Sequence, residues 1–84
     1  MGRYVIVESS GKGFIEKSRK FTIQGHAGNV WELDDSTEAQ VWAEEQERFH
    51  EGRVVDKATA QTAINDNTAE TDFAGNAITP HVLA

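Results

Sequence analysis

Val30-Trp31-Glu32-Leu33-Asp34-Asp35-Ser36-Thr37-Glu38, continued as far as Val55, decides the fold, because strand, helix-start and helix-stop signals follow one another there without conflict. Val30 to Leu33 alternates as a half-buried strand does, and the acids and hydroxyls after it announce a helix. With Asp35 as N-cap, Glu38 falls at the third helical position, where each side chain can satisfy a backbone N–H that the first turn leaves orphaned. Ala39, Trp42, Ala43, Gln46 and Phe49 then recur at three- and four-residue steps on one stripe, with Glu44, Glu45, Glu47 and Arg48 away from it. Arg48 and His50 suit the negative end of the helix dipole, and Gly52 suits the left-handed position beyond the last turn. Arg53-Val54-Val55 resumes an extended run, so the unit reads strand, helix over about residues 36–51, strand.

Toward the N-terminus, Arg3-Tyr4-Val5-Ile6-Val7-Glu8 is rich in β-branched and aromatic residues, and Ser9-Ser10-Gly11-Lys12-Gly13 follows as a turn. Ser18 to Ile23 alternates again, with Phe21 and Ile23 on one face and Lys20 and Thr22 on the other. Residues 24–29 punctuate the chain before Val30. The expected fold class is therefore α+β, a small antiparallel β-meander of three or four strands covered by one α-helix, with an extended C-terminal arm. The expected core is Tyr4, Ile6, Phe14, Phe21, Ile23, Trp31, Leu33, Trp42, Phe49 and Val54.

From Asp56 onward the composition changes. Lys57 to Ile64 can form a short helical turn, whereas residues 65–76 are Asn, Asp, Glu, Thr, Ala and Gly with Phe73 as the one large apolar group. That segment cannot offset an ordering entropy of roughly 1–2 kcal/mol per residue by burial, so on its own it is expected to be disordered. Ile78-Thr79-Pro80-His81-Val82-Leu83-Ala84 is apolar again. The division this implies is a compact domain over 1–56 and an extended partner-binding arm over 57–84, unless the arm folds back onto its own domain. Phe73, Ile78, Val82 and Leu83 are the apolar anchors it offers to a neighbour, with main-chain pairing between them.

The 84 residues allow one domain, and so short a chain buries a small fraction of its surface. Absence of cysteine excludes disulfides and thiolate metal sites. No apolar run approaches the ~20 residues that span a bilayer, and the first residues lead into a strand rather than a signal sequence, so a soluble, unprocessed chain is expected. The net charge of −6 is unevenly placed: residues 1–30 carry +3, 31–56 carry −7 and 57–84 carry −2. Such an acidic helix repels a phosphate backbone, which argues against nucleic-acid binding.

Candidate chemistry dissolves on inspection. Ser10-Gly11-Lys12-Gly13 lacks the longer glycine-bounded loop and the hydroxyl residue after Lys that a phosphate loop needs, and reads as a hairpin turn. His26, His50 and His81 have no spacing that places two on one helix face or in one metal loop. Asp34-Asp35 is explained by capping, and Glu44-Glu45 are helix neighbours that do not face each other. Trp31 and Trp42 are large enough to stack a base or sugar but fall on the inferred buried face. No catalytic residue, cofactor or metal ligand is assigned.

Gly28-Asn29-Val30-Trp31-Glu32-Leu33-Asp34-Asp35, an Ala-containing helix, and Glu51-Gly52-Arg53-Val54-Val55 together resemble a pattern in small structural proteins of tailed bacteriophages. The resemblance covers about a third of the chain, and the longer acidic helix and Thr/Asn/Ala-rich arm depart from it. It implies a non-enzymatic virion protein, made in the host cytoplasm, that decorates a capsid or serves as a minor head protein and binds neighbouring capsid subunits in many copies. The alternative is a small acidic inhibitor, an anti-defence protein whose helix mimics nucleic-acid charge on an enzyme.

Overall fold

A computed structural model describes residues 3–7, 21–27 and 29–84. The turn expected at Ser10-Gly11-Lys12-Gly13 and the core position given to Phe14 lie outside the described residues. Four strands, β1 (Arg3–Val7), β2 (Ile23–Gly25), β3 (Val30–Leu33) and β4 (Gly52–Val55), accompany two helices, α1 (Thr37–Phe49) and α2 (Lys57–Asn67). This is the α+β class, with an antiparallel sheet, that the sequence predicts.

The strand order is β2-β3-β1-β4. β1 pairs with β3 in the register Val5↔Trp31 and with β4 in the register Val5↔Val54, both antiparallel. A simple meander would place β1 beside β2. Val5 and Ile6, however, point to opposite faces and are both buried, so β1 needs cover on both faces and takes an inner place. β3 and β4 then run parallel to each other on either side of β1, with α1 crossing over between them.

The alternation of β1 sorts the core into two layers. Val5, Ile23 and Leu33 pack with Ala39 and Ala43 of α1, joined by the half-buried Phe21, Trp31 and Trp42. The Trp42 ring stands 6.0 Å from Trp31 and 6.4 Å from Phe21 at tilted angles, favourable aromatic geometry. On the other layer, Ile6, Ala27 and Val30 pack with Ala60 and Ile64 of α2 and with Leu83. The layer behind α2 corrects the division at residue 56. Residues from 57 on supply three members of this cluster, so truncation after Lys57 would open the core rather than trim an arm.

Two expected core positions are corrected as well. Phe49 is 68% exposed: at about 100° per residue it lies some 80° around the helix from Ala39, beyond the width of a stripe whose buried members are alanines. Val54 is 41% exposed because β4 is an edge strand. The cap also shifts by one. Ser36 is the N-cap, its Oγ accepting from Ala39 N at 3.1 Å, while Asp34 accepts from Ser36 N at 3.0 Å and from Thr22 N at 2.8 Å. Asp34 thus ties the helix entry to the strand beside it. At the other end Glu51 takes the left-handed conformation (φ 57°), and Gly52 begins β4.

α2 is longer than the short turn expected. Asp56 caps it through Thr59 N at 2.8 Å, and Thr62, Asn67 and Thr68 bond the carbonyls four residues back. These polar side chains, which compete with a helix when they bond elsewhere, here close onto it. Beyond α2 the chain has no helix or strand but a bridge between Thr71 and Ala77, and Ile78 N donates to Glu70 O at 3.0 Å. No described helix is long and apolar enough to cross a membrane.

Candidate functional site

His26 and Glu32, six residues apart, meet the remote His81 on the α2 face of the sheet. His26 follows β2, and its backbone N–H donates to Val30 O at 2.7 Å, which closes the loop into β3 and turns the imidazole inward. The residue is 1% exposed. Glu32 lies on β3 across from Tyr4 and Gln24 and keeps part of its carboxylate in solvent. His81 comes from the C-terminal segment.

What brings His81 in is Gln61. Its carboxamide behaves like a peptide unit set on α2: Nε2 donates to His81 O at 2.7 Å, and Oε1 accepts from Leu83 N at 2.8 Å. Two bonds on alternate residues fix the register of the last residues. Leu83 enters the core (3% exposed) and His81 falls over the sheet end. There the His81 and His26 rings stack, 4.1 Å between centroids and 12° apart in plane.

Around His26 the polar contacts are thin. Nε2 is 3.4 Å from Glu32 Oε1, longer than an ordinary hydrogen bond, and Nδ1 is buried with no partner. Burial, and then the neighbouring His81, push the His26 pKa below its ordinary value, against the pull of Glu32. His26 is therefore held neutral, with a ring nitrogen free to act as a ligand. The Tyr4 hydroxyl is pushed up by burial and by the Glu32 charge. One ligand atom each from His26, Glu32 and His81 fall within 4.8 Å of one another. The spacing of the histidines indeed places no two on one helix or in one loop; tertiary structure joins His26 and His81 instead, and only the apolar 82–84 end hints at the fold-back that does so.

The anchors expected on the C-terminal segment divide. Phe73 is fully exposed at 113%, Val82 is 74% exposed and Ile78 38%, whereas Leu83 belongs to the chain's own core and is not available to a neighbour. Phe73 sits on a tight turn. The Asp72 carboxylate accepts from Ala74 N and Asn76 N, both at 2.9 Å, Asp72 N donates to Asn76 O at 2.9 Å, Gly75 N donates to Asp72 O at 3.1 Å, and Gly75 carries a positive φ of 86°. These bonds order a segment that apolar burial alone would not. Trp31 and Trp42 are committed to packing on each other, and Glu38, Glu44, Glu45 and Glu47 line the solvent side of α1.

Compared with known proteins, the chain matches no family model, no curated sequence and no solved structure.

Proposed function

We propose that the protein is a non-enzymatic structural accessory protein, a decoration or minor head component of a tailed-bacteriophage virion, which binds neighbouring capsid subunits through its C-terminal segment. Phe73 carries this reading. A large aromatic that stands wholly in solvent on a turn fixed by four hydrogen bonds has its ordering entropy already spent, the condition in which an anchor contributes most on entering a partner's pocket. Ile78 and Val82 are further exposed apolar side chains of the same segment, and Leu83 fastens the segment rather than touching the neighbour. The virion setting rests on the resemblance over residues 28–35 and 51–55, and the many-copy lattice follows from that setting. Small contacts of this kind become durable when repeated over a lattice.

The test is co-sedimentation of the full chain with assembled capsids. Phe73→Ala is expected to leave the melting temperature unchanged, since the ring touches solvent, and to weaken capsid association by roughly 30-fold, the effect of losing a hot-spot aromatic. Capsids that take up no protein, or that bind the variant as tightly, would overturn the reading. A second reading, the acidic inhibitor, is supported by the four exposed glutamates of α1. It predicts binding to a nucleic-acid enzyme that collapses with added salt and is indifferent to Phe73.

A further inference from the structure

We propose that His26, Glu32 and His81 form a binding site for a divalent first-row transition ion of the zinc class, which fastens the C-terminal segment to the sheet. The donor set is the first argument. Two imidazoles and one carboxylate suit zinc and its neighbours in the first row, whereas magnesium and calcium prefer all-oxygen surroundings. Three protein ligands leave a fourth position for water, and His81, the exposed member of the set, gives the site access to solvent.

Spacing is the second argument. Two ligand atoms each 2.0–2.1 Å from a tetrahedral zinc lie about 3.3 Å apart. His26 Nε2 and Glu32 Oε1 are 3.4 Å apart, loose for a hydrogen bond but already at the separation of two ligands on one ion. The third ligand atom lies within 4.8 Å of both. Closing that gap needs the His81 ring to tilt out of its stack, because parallel rings aim their in-plane lone pairs side by side. His81 is exposed and its backbone is fixed by Gln61, so the ring can turn at the cost of its stack on His26 without moving the chain.

The third argument is the condition of His26. An imidazole buried to 1% exposure, with one nitrogen unpartnered and the other at long range, carries an uncompensated desolvation cost. An ion bound at Nε2 gives that nitrogen a strong partner and gives Glu32 a counter-charge, while Nδ1 keeps the imidazole's proton. The site is independent of capsid docking, and Phe73 takes no part in it.

The experiment uses the untagged full chain, stripped with chelator, titrated with zinc chloride and followed by calorimetry, melting temperature and imidazole nitrogen NMR. A single equivalent is expected to bind, raising the melting temperature and shifting the His26 and His81 ring signals, while magnesium chloride does neither. His81→Ala, a change at an exposed side chain that leaves the apo protein folded, should weaken binding by more than the roughly 10–100-fold that loss of a supporting contact costs a metal site. Glu32→Gln should behave alike. His50→Ala, at the exposed end of α1, should bind as the parent chain does. The proposal is overturned if zinc leaves the parent chain unaffected, if His81→Ala retains the parent affinity, or if His50→Ala abolishes it.

Discussion

Adjacent residues at the C-terminus show how sharply the fold discriminates. Val82 is 74% exposed and Leu83 3%, although they are chemically alike and the composition of residues 78–84 treats them alike. What separates them is the register that the Gln61 carboxamide sets on His81 O and Leu83 N, a contact across 20 and 22 residues that no local pattern announces. Leu83→Ala is therefore expected to cost about 2–5 kcal/mol, a buried leucine's worth, and to lower the melting temperature by many degrees. Val82→Ala should stay within about 0.5 kcal/mol of the parent, as surface changes do. Thermal melts of the two variants side by side decide it; equal effects would mean the last residues are not seated in the second core layer. The histidine pair was hidden for the same reason, since this register is what carries His81 to His26 and Glu32.

Elements were legible where several signals coincided. The alternation of β1 and β3 and the stripe and caps of α1 placed those elements to within a few residues, because period, cap and stop residues agreed. α2 was less legible. Its buried face is only Ala60 and Ile64, and its Thr and Asn residues have weak helix propensity until their side chains close onto the helix's own carbonyls. Even for α1 the cap was displaced by one, because Asp34, Asp35 and Ser36 are all good caps in isolation. The sheet resolves the choice: Asp34 is occupied by Thr22 and Ser36, which leaves the capping oxygen to Ser36. Ser36→Ala should accordingly cost α1 about 1 kcal/mol in urea melts. Asp35→Ala should cost less. The reverse ranking would restore the capping box with Asp35 and Glu38.

At the scale of the whole molecule, α1 and α2 enclose a four-stranded sheet from opposite faces, and β1 is buried on both. Neither core layer is large, and three carboxylates at the joints share the task of holding elements in place. Asp34 bonds Ser36 and Thr22, Asp56 bonds Thr59 at the start of α2, and Asp72 bonds Asn76 and Ala74 in the turn under Phe73. Each accepts from backbone N–H groups that favour the ionised form, and each carboxyl is held below its ordinary value of 3.8, Asp34 chiefly through Ser36, Asp56 through Thr59 and Asp72 through Asn76. The unfolded chain, with carboxyls at about 3.9, binds protons in a range where these three in the fold do not. Their stabilisation is thus fully present from about pH 5 upward, declines as the pH passes the unfolded value, and is lost as the pH falls through the lowered values of the folded state. Below that point protonated carboxyls no longer accept at full strength, and helix starts and turn loosen together. Urea midpoints from pH 5 down to pH 2 are expected to decline for the parent chain and to decline less for Asp34→Asn, which starts from a lower stability because its single amide oxygen can accept from only one of Thr22 N and Ser36 N, but which has no charge to lose. Parallel curves for parent and variant would show that Asp34 sets the loop geometry without coupling its ionisation to folding.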